Sequence, residues 1–285
     1  MHTLFKTQET VGKIVHQRTK GNARCTFKAR NHRTVLDELM QSGSFKVRLP
    51  KTTKNFFPEA VLINTAGGLT GGDTLSFEGR LNESTSAVFT TQASERAYRS
   101  LAAEALVDTK LVANAHSRLE WLPQETILFN GSRLKRSLDI KLSDGASLLA
   151  HESVVFGRTA MGEVIEQGYF SDFWRVYRND RLIHADAVRL DGDISKILSK
   201  AAALNGANAM TTVLYISSDA HERVQDIQKF TKSISSKEGV VGVSSWSDKL
   251  VFRAVAKDGS ALRSIVAPLL VNLRGGCDLP RVWSI

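Results

Sequence analysis

Residues 23–30 read Ala23-Arg24-Cys25-Thr26-Phe27-Lys28-Ala29-Arg30. One face of this stretch carries Ala, Cys, Phe and Ala; the other carries Arg, Thr, Lys and Arg. Successive side chains of a β-strand point to opposite faces, so the alternation predicts a strand with one buried face. The same period recurs outward along the chain. Phe45, Val47 and Leu49 alternate with Ser44, Lys46 and Arg48. Leu75, Phe77 and Leu81 alternate with Thr74, Ser76, Glu78 and Arg80, and Leu138, Ile140 and Leu142 with Ser137, Asp139 and Lys141. Turn pairs punctuate these runs: Asn130-Gly131, Asp144-Gly145, Asp191-Gly192 and Asp258-Gly259. Many short strands at this spacing predict a mainly β fold, either an antiparallel sandwich or a layered, coiled stack of strands.

The period changes in the last third. Residues 193–204 read as a helix ended by Gly206. Asp219 and Glu222 have the spacing of a capping box, followed by Val224, Ile227, Thr231 and Ile234 on one helical face. Leu262, Ile265, Val266, Leu269, Leu270 and Leu273 form an amphipathic stripe over residues 260–274, in which Pro268 is expected to kink or shorten the helix. Strands at 211–216 and 250–253 lie between. The expectation is a β-dominated body with a few C-terminal helices in a small α/β part. Residues 1–285 read as a single domain, with 1–20 as an N-terminal extension.

A chain of 285 residues can bury a sizeable core. A hydrophobic content of 42% excludes a disordered chain. No apolar run approaches the roughly 20 residues of a membrane helix. Residues 1–13 lack the apolar stretch of a secretory signal. Cys25 and Cys277 are too few for a disulfide framework or a thiolate metal cage, and Cys25 falls on an apolar strand face. The expected compartment is the reducing cytoplasm. The net charge is +9, and residues 1–54 already hold 12 basic against 3 acidic side chains. Nucleic acid, an acidic protein partner and a merely solvated face are the three readings of that excess. No RNP signature, zinc-finger spacing or interleaved aromatics accompany the basic residues, which weighs against nucleic acid.

Phosphate-binding, dinucleotide-binding, zinc-protease and nucleophile-elbow motifs are absent, and the seven histidines are scattered. One segment departs from the ordinary. Asn64-Thr65-Ala66-Gly67-Gly68-Leu69-Thr70-Gly71-Gly72-Asp73 places Gly67, Gly68, Gly71 and Gly72 within six positions. It is either a glycine loop joining two strands or a narrow place where backbone and the Asp73 carboxylate meet a ligand, an ion or a partner.

Four segments together resemble the urease accessory protein family UreD, called UreH in some bacteria. They are NTAGGLTGGDTL at 64–75, TTQASERAYRS at 90–100, LEWLPQETILFNGSRL at 119–134 and GRTAMGE at 157–163; LPRVW at 279–283 fits as well. Their order and spacing match from about Gly21 to the end of the chain. The resemblance implies a β-rich, helix-like stack of strands and a scaffold that is not an enzyme. It implies binding to apo-urease and to the accessory protein UreF with the GTPase UreG. It also implies nickel moving in transit through an internal, water-filled passage, with no permanently bound cofactor and no nucleic-acid or membrane partner.

A passage for Ni²⁺ needs weak, successive oxygen or imidazole contacts, because several soft ligands together would trap the ion. Asp73, Glu152 and Asp186 are the candidate passage carboxylates. Asp73 ends the glycine motif, Ser94 and Glu95 follow paired threonines, and Glu152 and Glu163 flank Gly157-Arg158. The plainer reading of Asp73, Glu152 and Asp186 is an ordinary salt bridge each, for example with Arg96, Arg99 or Arg158. Trp121 reads as core or as a docking edge, and the helix at 260–274 as a cover for the sheet or a seat for UreF. Two other function classes stay open: a β-rich hydrolase using Asp73 with His151, and a basic nucleic-acid-binding β-protein.

Overall fold

Alternating apolar residues build two sheets facing each other across one core. The computed structural model describes residues 17–51, 57–158, 162–234 and 239–284. Most of the expected N-terminal extension, and Thr159, Ala160 and Met161 of the GRTAMGE segment, lie outside these residues.

Sheet A contains β1 (Lys20–Arg30), β2 (Arg33–Gly43), β5 (Thr74–Leu81), β8 (Ala105–Ala113), β11 (Arg133–Leu142), β13 (Gln167–Arg178) and β14 (Arg181–Asp193), in the order β14-β13-β11-β8-β5-β1-β2. Sheet B contains β3 (Phe45–Arg48), β4 (Glu59–Asn64), β6 (Ser86–Thr91), β9 (Arg118–Trp121), β12 (Ser147–Phe156), β15 (Ala209–Ile216), β16 (Val240–Trp246) and β17 (Lys249–Ala256), in the order β16-β17-β15-β12-β9-β6-β4-β3. Two short strands, β7 (Glu95–Ala97) and β10 (Thr126–Leu128), form a third side with the end of β12. The chain visits sheet A, sheet B and the third side in turn, so equivalent strands stack in parallel: β1, β5, β8, β11 and β13 in one sheet, β4, β6, β9 and β12 in the other. The result is a β-solenoid of about four turns. Of the two β architectures the period allowed, the coiled stack is the one formed. Antiparallel pairing is confined to its flanks, such as β1–β2, β13–β14 and β12–β15–β17.

Between the sheets lies a core that includes Phe27, Phe77, Phe89, Leu111, Leu138 and Phe170. Cys25 is fully buried there, as its strand face predicts, whereas Ala29 lies exposed at the end of β1. Trp121 is core: 4% exposed, it stacks on Phe77 at 6.0 Å between ring centroids. The middle strands of sheet B are buried on both faces. In β12, Leu148, Ala150, Val154 and Phe156 face the solenoid core, while Leu149 and Val155 join a second cluster.

That second cluster is closed by α3 (Gly259–Leu273), which buries all six residues of the predicted stripe and runs through Pro268 without ending. Helix α3 therefore covers the sheet. Asp258-Gly259 is not a turn but the start of this helix, with Asp258 accepting from Ala261 N–H at 2.8 Å. Asp191-Gly192 lies inside β14. Helix α1 (Ile194–Leu198) is shorter than predicted, capped by Asp193. Helix α2 (Ala220–Ser233) begins after Asp219, but the Asp219 side chain accepts from Tyr215 and Arg223 instead of closing a capping box.

The C-terminal part is pinned to the solenoid by ions. Arg274, just past α3, donates from Nε to Glu120 Oε2 of β9 at 2.7 Å, and both side chains are almost fully buried. Arg118 meets the other Glu120 oxygen at 2.7 Å. Trp283 Nε1 donates to the Leu122 carbonyl at 3.1 Å. The basic N-terminal strands are partly neutralised by neighbouring strands: Arg24 pairs with Glu78 of β5 at 3.0 Å and Lys28 with Asp37 of β2 at 2.7 Å.

Candidate functional site

The inward row of β11 runs Leu134, Arg136, Leu138, Ile140 and Leu142, so one arginine interrupts an apolar row. The inward row of β13 runs Phe170, Asp172, Trp174 and Val176, and that of β12 runs Ala150, Glu152 and Val154; each carries one acid. Parallel pairing sets Arg136 directly opposite Asp172, and the facing sheet brings Glu152 to the same level. Arg136 Nη2 donates to Asp172 Oδ2 at 2.5 Å. Its Nη1 pairs with Glu152 and donates to Thr126 Oγ1 at 3.0 Å. Trp121 Nε1 holds the other Glu152 oxygen at 2.8 Å. All three ions are buried.

Burial favours the neutral form of Glu152 and pushes its carboxyl upward, against the pull of Arg136. Burial acts against the Arg136 cation as well, yet Asp172 and Glu152 outweigh it and hold the guanidinium charged.

A cavity of about 220 Å³ reaches this cluster from outside. Its mouth is formed by the exposed Gln92, Ala93 and Arg96 beside Ser94, Glu95 and Gly67; its inner wall is Thr126, Arg136 and Glu152. Among the described residues its lining contains no cysteine or histidine. At the mouth, Asn64 Nδ2 donates to both Glu95 oxygens, at 3.1 and 3.2 Å. Burial raises the Glu95 carboxyl to about 7, the Asn64 contact opposes the shift, and the nearby Asp73 charge adds to it. Beyond the cluster a second, much smaller cavity of about 10 Å³ is lined by Arg136, Glu152, Asp172, Asp186 and Thr212. Among the described residues, no group of three or more His, Cys, Asp or Glu side chains converges as a metal cage.

The three candidate acids have different surroundings. Glu152 and Asp186 border the same small cavity, and Asp186 Oδ2 also accepts from Arg253 at 2.6 Å. Asp73 stands apart, its two oxygens taken by the backbone N–H groups of Thr19 and Thr70, both at 2.8 Å. Ser94 lines the cavity and donates to Glu125 at 2.9 Å. Glu163 accepts from Arg158 Nε at 2.9 Å, outside the cavity. Two of the three candidate acids are paired with arginines as the plainer reading has it, but the partners are Arg136 for Glu152 and Arg253 for Asp186, not Arg96, Arg99 or Arg158. His151 faces Trp283 and sits 2.8 Å from Ser153 Oγ, with burial driving its pKa down to about 3. Asp73 and His151 therefore make no acid–base pair.

The glycine motif is demanded by space and backbone conformation. Gly68 has φ +151°, and a Cβ there would meet Tyr98 Cε2 at 2.3 Å. A Cβ on Gly71 would lie 1.9 Å from Ser100 Oγ and 2.2 Å from the Ala103 carbonyl. The loop thereby packs against the TTQASERAYRS segment, and Leu69 exchanges backbone hydrogen bonds with Arg96 and Tyr98. Tyr98 meets Phe129 edge-on at 4.9 Å, and Arg158 lies over Phe129 at 4.5 Å, so parts of all four motif segments gather beside the cavity mouth.

Sequence reading did not find Arg136 or Asp172. The signal was present: continuing the Leu138-Ile140-Leu142 phase backwards by one step lands a charged residue on the buried face.

The family model described as UreD urease accessory protein matches residues 19–284. A urease accessory protein UreD of Rhizobium rhizogenes is 44% identical over 269 residues, covering 94% of this chain and 96% of the relative. One from Sinorhizobium medicae is 41% identical, covering 97% and 100%, and UreD 1 of Brucella melitensis is 43% identical, covering 94% and 95%. With the solenoid, the motif cluster and these full-length matches in agreement, the chain belongs to the UreD family of urease accessory proteins, which take part in urease maturation and are not themselves catalysts.

Proposed function

We propose that the chain is a cytoplasmic scaffold for nickel insertion, which binds apo-urease and UreF, and through UreF the GTPase UreG, and passes nickel through its interior. The observation that carries this reading is the cavity running from Glu95 and Ser94 at the surface to Glu152 in the core, a largely apolar passage with carboxylates at both ends. Hard oxygen donors hold Ni²⁺ more loosely than thiolate or imidazole would, so an ion can be handed on. Glu95, at the mouth beside Ser94, is the first carboxylate an entering ion meets. Glu152 and Asp186 then continue the route, and Asp73 adds its negative field from behind the glycine loop while clamping that loop.

The test is urease produced with a Glu152→Gln variant, read as nickel per urease active site and as co-purification with UreF and apo-urease. Lower nickel content with assembly retained is the expected result. Fully loaded urease would overturn the passage, and a wild-type chain that fails to co-purify with either partner would overturn the scaffold.

A further inference from the structure

Resting on that reading, we infer that Arg136 is a latch that keeps the passage closed until a metal ion displaces it. Arg136 and Glu152 line both the 220 Å³ cavity and the small cavity beyond, so their ion pair is the partition between the two. An ion arriving at Glu152 meets a guanidinium already seated on that carboxylate and on Asp172. Like charge in a buried setting repels strongly, so a fixed Arg136 bars a dication. The same two acids become a strong attraction once the guanidinium turns aside.

The side chains have bonding capacity for that exchange. Asp172 Oδ1 and Arg136 Nε are buried and find no hydrogen-bond partner among the described residues. Buried polar atoms normally find partners, so Oδ1 of Asp172, a residue that borders the small cavity, is an acceptor placed for a solvent molecule or an incoming ion. Phe170 lies under the guanidinium at 5.6 Å, a face along which the cation can slide without losing all stabilisation. The latch also explains how a route with three acids avoids storing metal: Arg136 competes for Glu152 and Asp172 and returns once the ion has moved toward Asp186.

The decisive variant is Arg136→Gln, tested as full-length protein with nickel sulfate alone, by equilibrium dialysis and metal analysis after desalting. The wild type is expected to lose its nickel on desalting. The Arg136→Gln chain is expected to bind on the order of tenfold tighter, because the competing cation is gone, and to deliver less nickel to urease despite holding more. Adding Glu152→Gln to it should return retention to the wild-type level; a double variant that still holds nickel would place the metal elsewhere and overturn the latch. Should Arg136→Gln fail to fold, Arg136→Lys keeps one cation at the site but lacks the fork that bridges both carboxylates, and is expected to hold nickel more tightly than the wild type by a smaller factor. Unchanged nickel affinity in the folded variant, alongside reduced urease loading by Glu152→Gln, would sink the latch and leave the passage standing. Normal loading by Glu152→Gln would sink the passage itself.

Discussion

Arg136 stands directly opposite Asp172 in the parallel β11–β13 pair, and its guanidinium bridges that carboxylate to Glu152 of the facing sheet. One buried cation is therefore shared between two buried acids at the inner end of a cavity open to solvent. Ionic groups in a core cost desolvation and are kept only where neighbours compensate them. Here the compensation crosses from one sheet to the other, which ties the two halves of the solenoid together at the site.

Asp73 is expected to matter for folding. Replacing it with alanine strips the acceptors from two backbone amides, those of Thr19 and Thr70. Hydrogen bonds to a charged group contribute about 1.5–3 kcal/mol each, so losing two of them in Asp73→Ala should destabilise the chain by about 3–6 kcal/mol. Chemical denaturation measures this directly, and an unshifted midpoint would refute the clamp.

Arg274→Ala should cost about 3–5 kcal/mol, because it leaves Glu120 buried in the core with only the partly exposed Arg118 as ionic partner. The loss should appear first as release of α3 from sheet B. Hydrogen exchange along residues 259–273 would reveal that release; uniform protection matching the wild type would contradict it.

Stability should fall between about pH 4.5 and 7 through Glu95. Its folded carboxyl is raised to about 7 from an ordinary 4.5, so the folded chain binds more protons than the unfolded chain across that window. The stabilisation is complete below the lower value and is lost as pH rises through the upper one. Allowing for partial exposure, Glu95→Gln should be about 1–3 kcal/mol more stable than wild type at pH 8 and equal to it at pH 4. Denaturation curves at the two pH values decide the matter, and an equal difference at both would count against it.

Gly71→Ala should distort the mouth of the cavity, since its methyl group has no space against Ser100 and Ala103. Overpacking of this kind costs about 1–3 kcal/mol. Gly67→Ala is the contrasting case: φ +76° strains it, but a Cβ there meets nothing within 4 Å. Thermal melts of the pair should show that both variants lose stability and that only Gly71→Ala disturbs the Leu69 backbone bonds, read by amide chemical shifts.

The period-2 alternation around Phe27, Phe77 and Ile140 was enough to establish strands with one buried face, and the stripe from Leu262 to Leu273 was enough to establish α3. Both follow from side-chain geometry within one element. Glu152 was legible as a candidate because it flanks the recognisable Gly157-Arg158 segment. Asp73 was legible too, but its role was not, since the amides that capture it come from Thr19 and Thr70 rather than from a visible partner.

What the sequence by itself determined is the faces of the elements, the mainly β class and, through its motif segments, the family. Only the tertiary structure decided which strands are neighbours, and hence that Arg136 meets an acid 36 residues away in β13 and another across the core. The physical reason is that alternation tells each residue whether to point inward, while register and sheet stacking tell it whom to meet. In a solenoid those are settled by the packing of one turn on the next.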